Sequence, residues 1–141
     1  MKIAAVAALA IFLATSGLSA QAQQMPAELV GVWASDGVSC DLPDDDVDGE
    51  FPYLIVATNG YAGHEATCRL ASAGPPIRQG SRTGYRLKFR CEGEGMDWRA
   101  SEVWTVMSVR RRHGGWMLTQ QRLIREGASY RRCGLGAAPS E

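Results

Sequence analysis

The sequence predicts an all-β protein: a single antiparallel up-and-down β-barrel, a meander of seven or eight strands stapled by two disulfides. Three observations carry this. Short apolar or alternating runs are separated by glycine-rich turns. No stretch after the first two dozen residues carries a helical stripe. Cys40, Cys68, Cys91 and Cys133 make an even set, as in an exported disulfide-bonded domain.

The opening segment reads as an export signal. Lys2 supplies the positive start, Ile3–Leu13 the apolar run and Ala20-Gln21-Ala22 the small-residue cleavage pattern. The apolar run is shorter than the roughly 20 residues a membrane helix needs, and no Cys near the cleavage point offers a lipid anchor. The expected organisation is residues 1–22 as a cleaved signal peptide, 23–133 as the barrel and 134–141 as a disordered tail. A periplasmic or secreted location follows, with no transmembrane segment in the mature chain.

The strands follow in order. Glu28–Ser35 is the first, entered after Pro26, and Tyr53–Asn59 the second. Asn59-Gly60 is a strong hairpin signal, from which Tyr61–Leu70 returns as one strand. Leu70–Ser81, with Gly74-Pro75-Pro76, reads as a loop. In the next strand Tyr85, Leu87, Phe89 and Cys91 face one way while Arg86, Lys88 and Arg90 face the other, a period of two with a basic outer face. Trp98–Val109, Trp116–Ile124 and Ala128–Cys133 complete the set.

Charge is balanced overall but segregated along the chain. Between Gln23 and Ser81, nine acids stand against Arg69 and Arg78; between Arg82 and Cys133, twelve bases stand against five acids. The two halves neutralise one another across one fold, or the basic half meets an anionic partner. Of the three possible disulfide connectivities, the sequence-local pairing Cys40–Cys68 with Cys91–Cys133 is the expectation.

Gly31-Val32-Trp33 in the first strand resembles the G-x-W of the calycin barrels, carried by lipocalins and avidins, and is similar to that of the bacterial metalloprotease inhibitors. The resemblance implies a Trp packed at a closed barrel end, a Gly allowing close backbone approach and an Arg from the last strand over the indole. Arg131 or Arg132 fits that part, Arg131 being taken as the structural residue.

The acidic stretch Asp44–Glu50 begins like a calcium loop, with Asp44, Asp46, Asp48 and Gly49 at positions one, three, five and six. Position twelve is Ile55 rather than the bidentate Glu, and a strand follows instead of a helix. A looser site borrowing Glu50 or Asp41 is a minority reading, so no metal and no cofactor is expected. The cysteine spacings contain no C-x-x-C that would hold zinc.

A ligand site is expected in the barrel mouth, formed by Trp98, Glu102, Trp104, Trp116 and Arg122. It assumes a hairpin turn near Arg112-His113, which sets Trp104 opposite Arg122 with Glu102 its diagonal neighbour; the pair then lies inside the barrel, or outside it if Val103, Thr105 and Met107 form the inward face. Arg110, Arg111 and Arg112 at the tip form a candidate contact with an anionic envelope surface. Catalysis is not expected. His64 and Glu65, read as neighbours within a strand, point to opposite faces, and no serine lies in a nucleophile elbow. Export removes the usual nucleic-acid targets. The expectation is an exported, non-enzymatic barrel that binds a small apolar or amphiphilic ligand; the alternatives are a periplasmic inhibitor of a protease or other hydrolase, or an envelope-associated structural protein.

Overall fold

The computed structural model describes residues 23–41 and 52–134. The expected signal peptide 1–22, the acidic stretch Asp44–Glu50 and the expected tail, from 135 to 141, lie outside the described residues. A short 3-10 turn, Ala27–Leu29, leads into nine strands: β1 Gly31–Ser35, β2 Tyr53–Ala57, β3 Gly60–Gly63, β4 Ala66–Ala73, β5 Ile77–Gln79, β6 Arg82–Gly93, β7 Met96–His113, β8 Trp116–Arg125 and β9 Ala128–Arg132. All pairings are antiparallel. The order β4-β3-β2-β1-β9-β8-β7-β6 closes on itself where β4 also pairs with β6, giving an eight-stranded barrel; β5 is an extra strand on β6.

Closure has a local cause in β6. It is long enough to pair with β7 along its whole length while its two other stretches serve β5 and β4. The alternation in the sequence is realised: Tyr85, Leu87, Phe89 and Cys91 are buried, while Arg86, Lys88 and Arg90 are exposed. With Trp33, Leu54, Trp104 and Leu123 they fill the barrel. Closing the sheet leaves few free strand edges, a protection against edge-to-edge association.

One end of the barrel is sealed. Leu29 and Met25 pack beneath Trp33, whose indole Nε1 donates to the Leu29 carbonyl at 2.8 Å. Trp33 lies directly opposite Arg132 in the β1–β9 register, and the Arg132 guanidinium stands over the indole at 5.3 Å. The residue over Trp33 is therefore Arg132 and not Arg131. Arg131, one residue earlier, points to the opposite face of the sheet and donates to the Val38 carbonyl. Arg132 also donates to the Glu28 and Val30 carbonyls at 3.2 and 2.7 Å and to Gln121 Oε1 at 2.6 Å. Gly31 suits its backbone φ of +142°; a Cβ there would only touch the Arg132 guanidinium at ordinary contact distance, 3.4 Å from Nη2.

The disulfides are Cys68–Cys91 and Cys40–Cys133, which corrects the expected Cys40–Cys68 and Cys91–Cys133 pairing. Cys68 and Cys91 are direct cross-strand partners at the β4–β6 seam, and they face the barrel interior. Cys40 belongs to a segment that folds back over the outer face of β1. There it meets Cys133, Ala34, Val32, Val38 and Tyr53 in a second, small apolar cluster. Sequence proximity favoured the wrong partners because barrel closure brings distant strands together.

Two further differences are local. The single strand expected over Tyr61–Leu70 is two, β3 and β4, joined by a tight turn at His64-Glu65 with Glu65 at φ 55°. His64 and Glu65 are thus turn neighbours, with His64 Nε2 at 3.4 Å from Glu65 Oε1, rather than opposed strand residues. The expected loop Leu70–Ser81 contains the end of β4 and all of β5.

Candidate functional site

The barrel end away from Trp33 is open. Its floor is built from β7, whose inward positions Ala100, Glu102, Trp104 and Val106 alternate with outward ones. Glu102 is a carboxylate on the barrel's inner wall, only 7 % exposed. A buried charge requires a partner, and the register between β7 and β8 decides which residue provides it.

That register is set by Gly114-Gly115, both at positive φ (54° and 85°), in the two-residue turn that joins a twisted hairpin. His113 then pairs with Trp116, and Trp104 faces Arg125. The expected turn near Arg112-His113 misplaces the register by three residues. Such an odd shift exchanges the two faces of a strand. Arg122 consequently lies opposite Met107 on the outer face and pairs with Asp36 at 3.2 Å. Arg125 takes the place expected for Arg122.

Arg125 grips Glu102 at two points, Nε to Oε2 at 2.8 Å and Nη2 to Oε1 at 3.0 Å. Trp104 Nε1 donates to Glu102 Oε2 at 2.6 Å. Tyr61, from β3, accepts from Arg125 Nη2 at 2.7 Å, and its hydroxyl donates to Glu102 Oε1 at 3.3 Å. The guanidinium also covers the Tyr61 ring at 4.9 Å and the Trp104 ring at 5.8 Å. Phe89 packs edge-on against Tyr61 at 4.9 Å, which holds the phenol in position.

This wiring controls ionisation. Burial alone opposes the Glu102 carboxylate, but the Arg125 and Trp104 hydrogen bonds with the guanidinium charge outweigh it, and the carboxyl titrates below its ordinary value. Burial raises the Tyr61 phenol well above its ordinary value; Arg125 pulls it down and Glu102 pushes it up. Burial likewise opposes the Arg125 charge, yet its bonds to Glu102 hold the guanidinium more firmly protonated than usual. Near neutral pH the three groups stay as carboxylate, phenol and guanidinium.

Above this floor lies a cavity of about 300 Å³. Leu54, Tyr61, Trp98, Ala100, Arg125 and Tyr130 contribute to its walls. Trp98 shares the inward parity of Glu102 but sits at the rim, 40 % exposed. Of the three tryptophans expected in the mouth, the structure places one there. Trp104 is fully buried beneath it, and Trp116 is 77 % exposed at the far tip of the β7–β8 hairpin. The length of β7 separates Trp116 from the mouth. Tyr61 and Arg125 were missed from the sequence. Gly114-Gly115 is the one signal that could have identified Arg125; nothing local marks Tyr61, which the sheet sets between Val56 of β2 and Cys68 of β4.

Arg110, Arg111 and Arg112 belong to β7 itself rather than to a loop tip, so they alternate between the two faces of the hairpin. Among the described residues no helix is long and apolar enough to cross a membrane, and no cluster of three or more metal-ligating side chains occurs. No protein-family model, curated protein or solved structure matches the chain.

Proposed function

We propose that this chain is an exported, non-enzymatic binding module that holds a small amphiphilic ligand in the mouth of its barrel. The supporting observation is the cavity of about 300 Å³ whose floor is the Tyr61–Glu102–Arg125 network and whose rim carries Trp98. Its size is at the lower end for ligand pockets, roughly 300–1,000 Å³, and suits a compact molecule. Glu102 and Arg125 neutralise each other, so the floor favours an uncharged polar end, such as a hydroxyl or amide. Trp98 and Leu54 offer an apolar wall for the body.

Binding is favoured over catalysis by the state of the buried groups. A general acid or base works best with a pKa near the working pH, whereas Glu102 is held low and Tyr61 high. The two disulfides suit an oxidising compartment, in keeping with export.

Isothermal titration calorimetry with octanol, octanoate and octylamine tests the reading. Saturable octanol binding is expected, with each charged analogue weaker by about tenfold, the cost of an unpaired charge near the floor. Trp98→Ala should weaken octanol without lowering the melting temperature. If no probe saturates, or if Trp98→Ala leaves the affinity unchanged, the mouth is not the binding site.

A further inference from the structure

The β8 strand has two unequal edges. Toward β7 it is paired from Trp116 to Arg125; toward β9 only Arg122–Arg125 is paired. β9 stops at Arg132, and the next amide, of Cys133, turns to the Val32 carbonyl of β1. The stretch Trp116–Gln121 therefore has a main-chain edge with no strand partner among the described residues. Its sequence, Trp-Met-Leu-Thr-Gln-Gln, contains neither charge nor proline, the devices that normally guard an edge. Trp116, Met117 and Leu118 are each more than half exposed. An uncharged, β-prone edge left bare invites uncontrolled association, and its retention calls for something that covers it.

A groove of about 1140 Å³ runs beside this edge. Arg111, Arg112, Arg122, Arg131 and Arg132 line it, against a single acid, Asp36, already held by Arg122. Among the described residues Arg111 and Arg112 form no ion pair, and the buried Arg122 Nε has no hydrogen-bond partner. The groove thus combines unpaired peptide groups with an excess of guanidinium.

We propose that the Trp116–Gln121 edge of β8 docks an acidic segment of a partner protein, in extended conformation, as an added strand whose carboxylates meet the groove arginines. A polypeptide matches this surface because it alone supplies alternating N–H and C=O groups to the edge along with the negative charge. A lipid headgroup or polysaccharide would satisfy the arginines and leave the edge bare. The site is separate from the barrel mouth and does not depend on the ligand proposed there.

Fluorescence anisotropy with a labelled peptide of alternating glutamate and valine tests the proposal on the intact, oxidised chain. Saturable binding is expected, with the lysine–valine peptide at least about tenfold weaker. Methylating alternate backbone nitrogens of the acidic peptide, on the face that pairs, should weaken it by a similar factor, because the added strand loses its donors. The exposed double variant R111A/R112A and, separately, Leu118→Glu should each reduce binding while circular dichroism stays unchanged. Equal binding of both methylation registers and the unmodified peptide would overturn strand addition. Phosphatidylglycerol vesicles binding where the peptide does not would assign the arginines to a membrane surface instead. Peptide failure together with a dimer that Leu118→Glu dissociates, measured by sedimentation, would assign the edge to a second copy of the chain.

Discussion

Glu102 and Arg125 meet inside the barrel through two hydrogen bonds, 2.8 and 3.0 Å long, although the hairpin that joins them turns far away at Gly114-Gly115. Removing one member leaves the other charge buried and unpaired. Glu102→Leu or Arg125→Met alone should destabilise the fold by about 3–5 kcal/mol. The double variant should be less destabilised than the sum of the two, because no orphan charge remains. Urea denaturation of the four proteins measures the coupling; strict additivity would show that the pair is not a unit.

The same pair gives the fold an acid-sensitive component. The folded Glu102 carboxyl titrates below its unfolded value of 4.5, so its stabilisation is fully present above that pH. It is lost as pH falls through the lower folded value. Melting temperature should therefore fall more steeply below pH 4.5 in the native protein than in Glu102→Gln, whose curve lacks this component. Parallel curves would remove Glu102 from the acid response.

Tyr85 gives the opposite sign at high pH. Burial and its hydroxyl's hydrogen bond to Glu28 Oε1 raise the phenol from 10.0 to about 12. A raised folded pKa stabilises the protonated form, so this contribution is complete below pH 10 and disappears as pH rises through about 12. In spectrophotometric titration Tyr85→Phe should lose a late-ionising phenol. Loss of an early one would contradict the assignment.

Peptide mapping of the oxidised protein should recover Cys68 joined to Cys91 and Cys40 joined to Cys133. The two bridges span separations of 93 residues for Cys40–Cys133 and 23 for Cys68–Cys91. Loop-closure entropy then makes the first worth about 4.6 kcal/mol and the second about 3.4 kcal/mol. Paired Cys→Ser variants, compared by chemical denaturation, should follow that order. A reversed order would mean that losing the interior seam at β4–β6 outweighs the entropy.

At the sealed end, Arg132→Ala removes the guanidinium from Trp33 and three hydrogen bonds at once. A loss of about 2–4 kcal/mol is expected by urea denaturation. Arg132→Lys should recover only part of it, since an ammonium cannot reproduce the planar fork over the indole. Full recovery by lysine would reduce the contact to simple charge.

The sequence made some of this legible because the relevant signals are local. The Tyr85–Cys91 alternation reports one buried and one solvated face. Parity puts Glu102 on one face with Trp98 and Trp104, but the sequence leaves open whether that face or the Val103, Thr105 and Met107 face points inward. The partner was misassigned because strand alternation says which face a residue takes but not which residue stands opposite. A turn placed at Arg112-His113 or at Gly114-Gly115 leaves β7 looking the same and exchanges Arg122 for Arg125.

The sequence alone thus determined an antiparallel all-β chain with four paired cysteines and a basic outer face on β6, since each follows from a period of two or from composition. Tertiary structure decided where the sheet closes, and with it everything that depends on closure. It joined Cys68 to Cys91 across the β4–β6 seam, carried Tyr61 to Glu102, placed Arg132 over Trp33 and left Trp116–Gln121 without a neighbour. These are contacts between strands distant in the chain, fixed by the register of the whole sheet, and no single stretch of sequence contains that register.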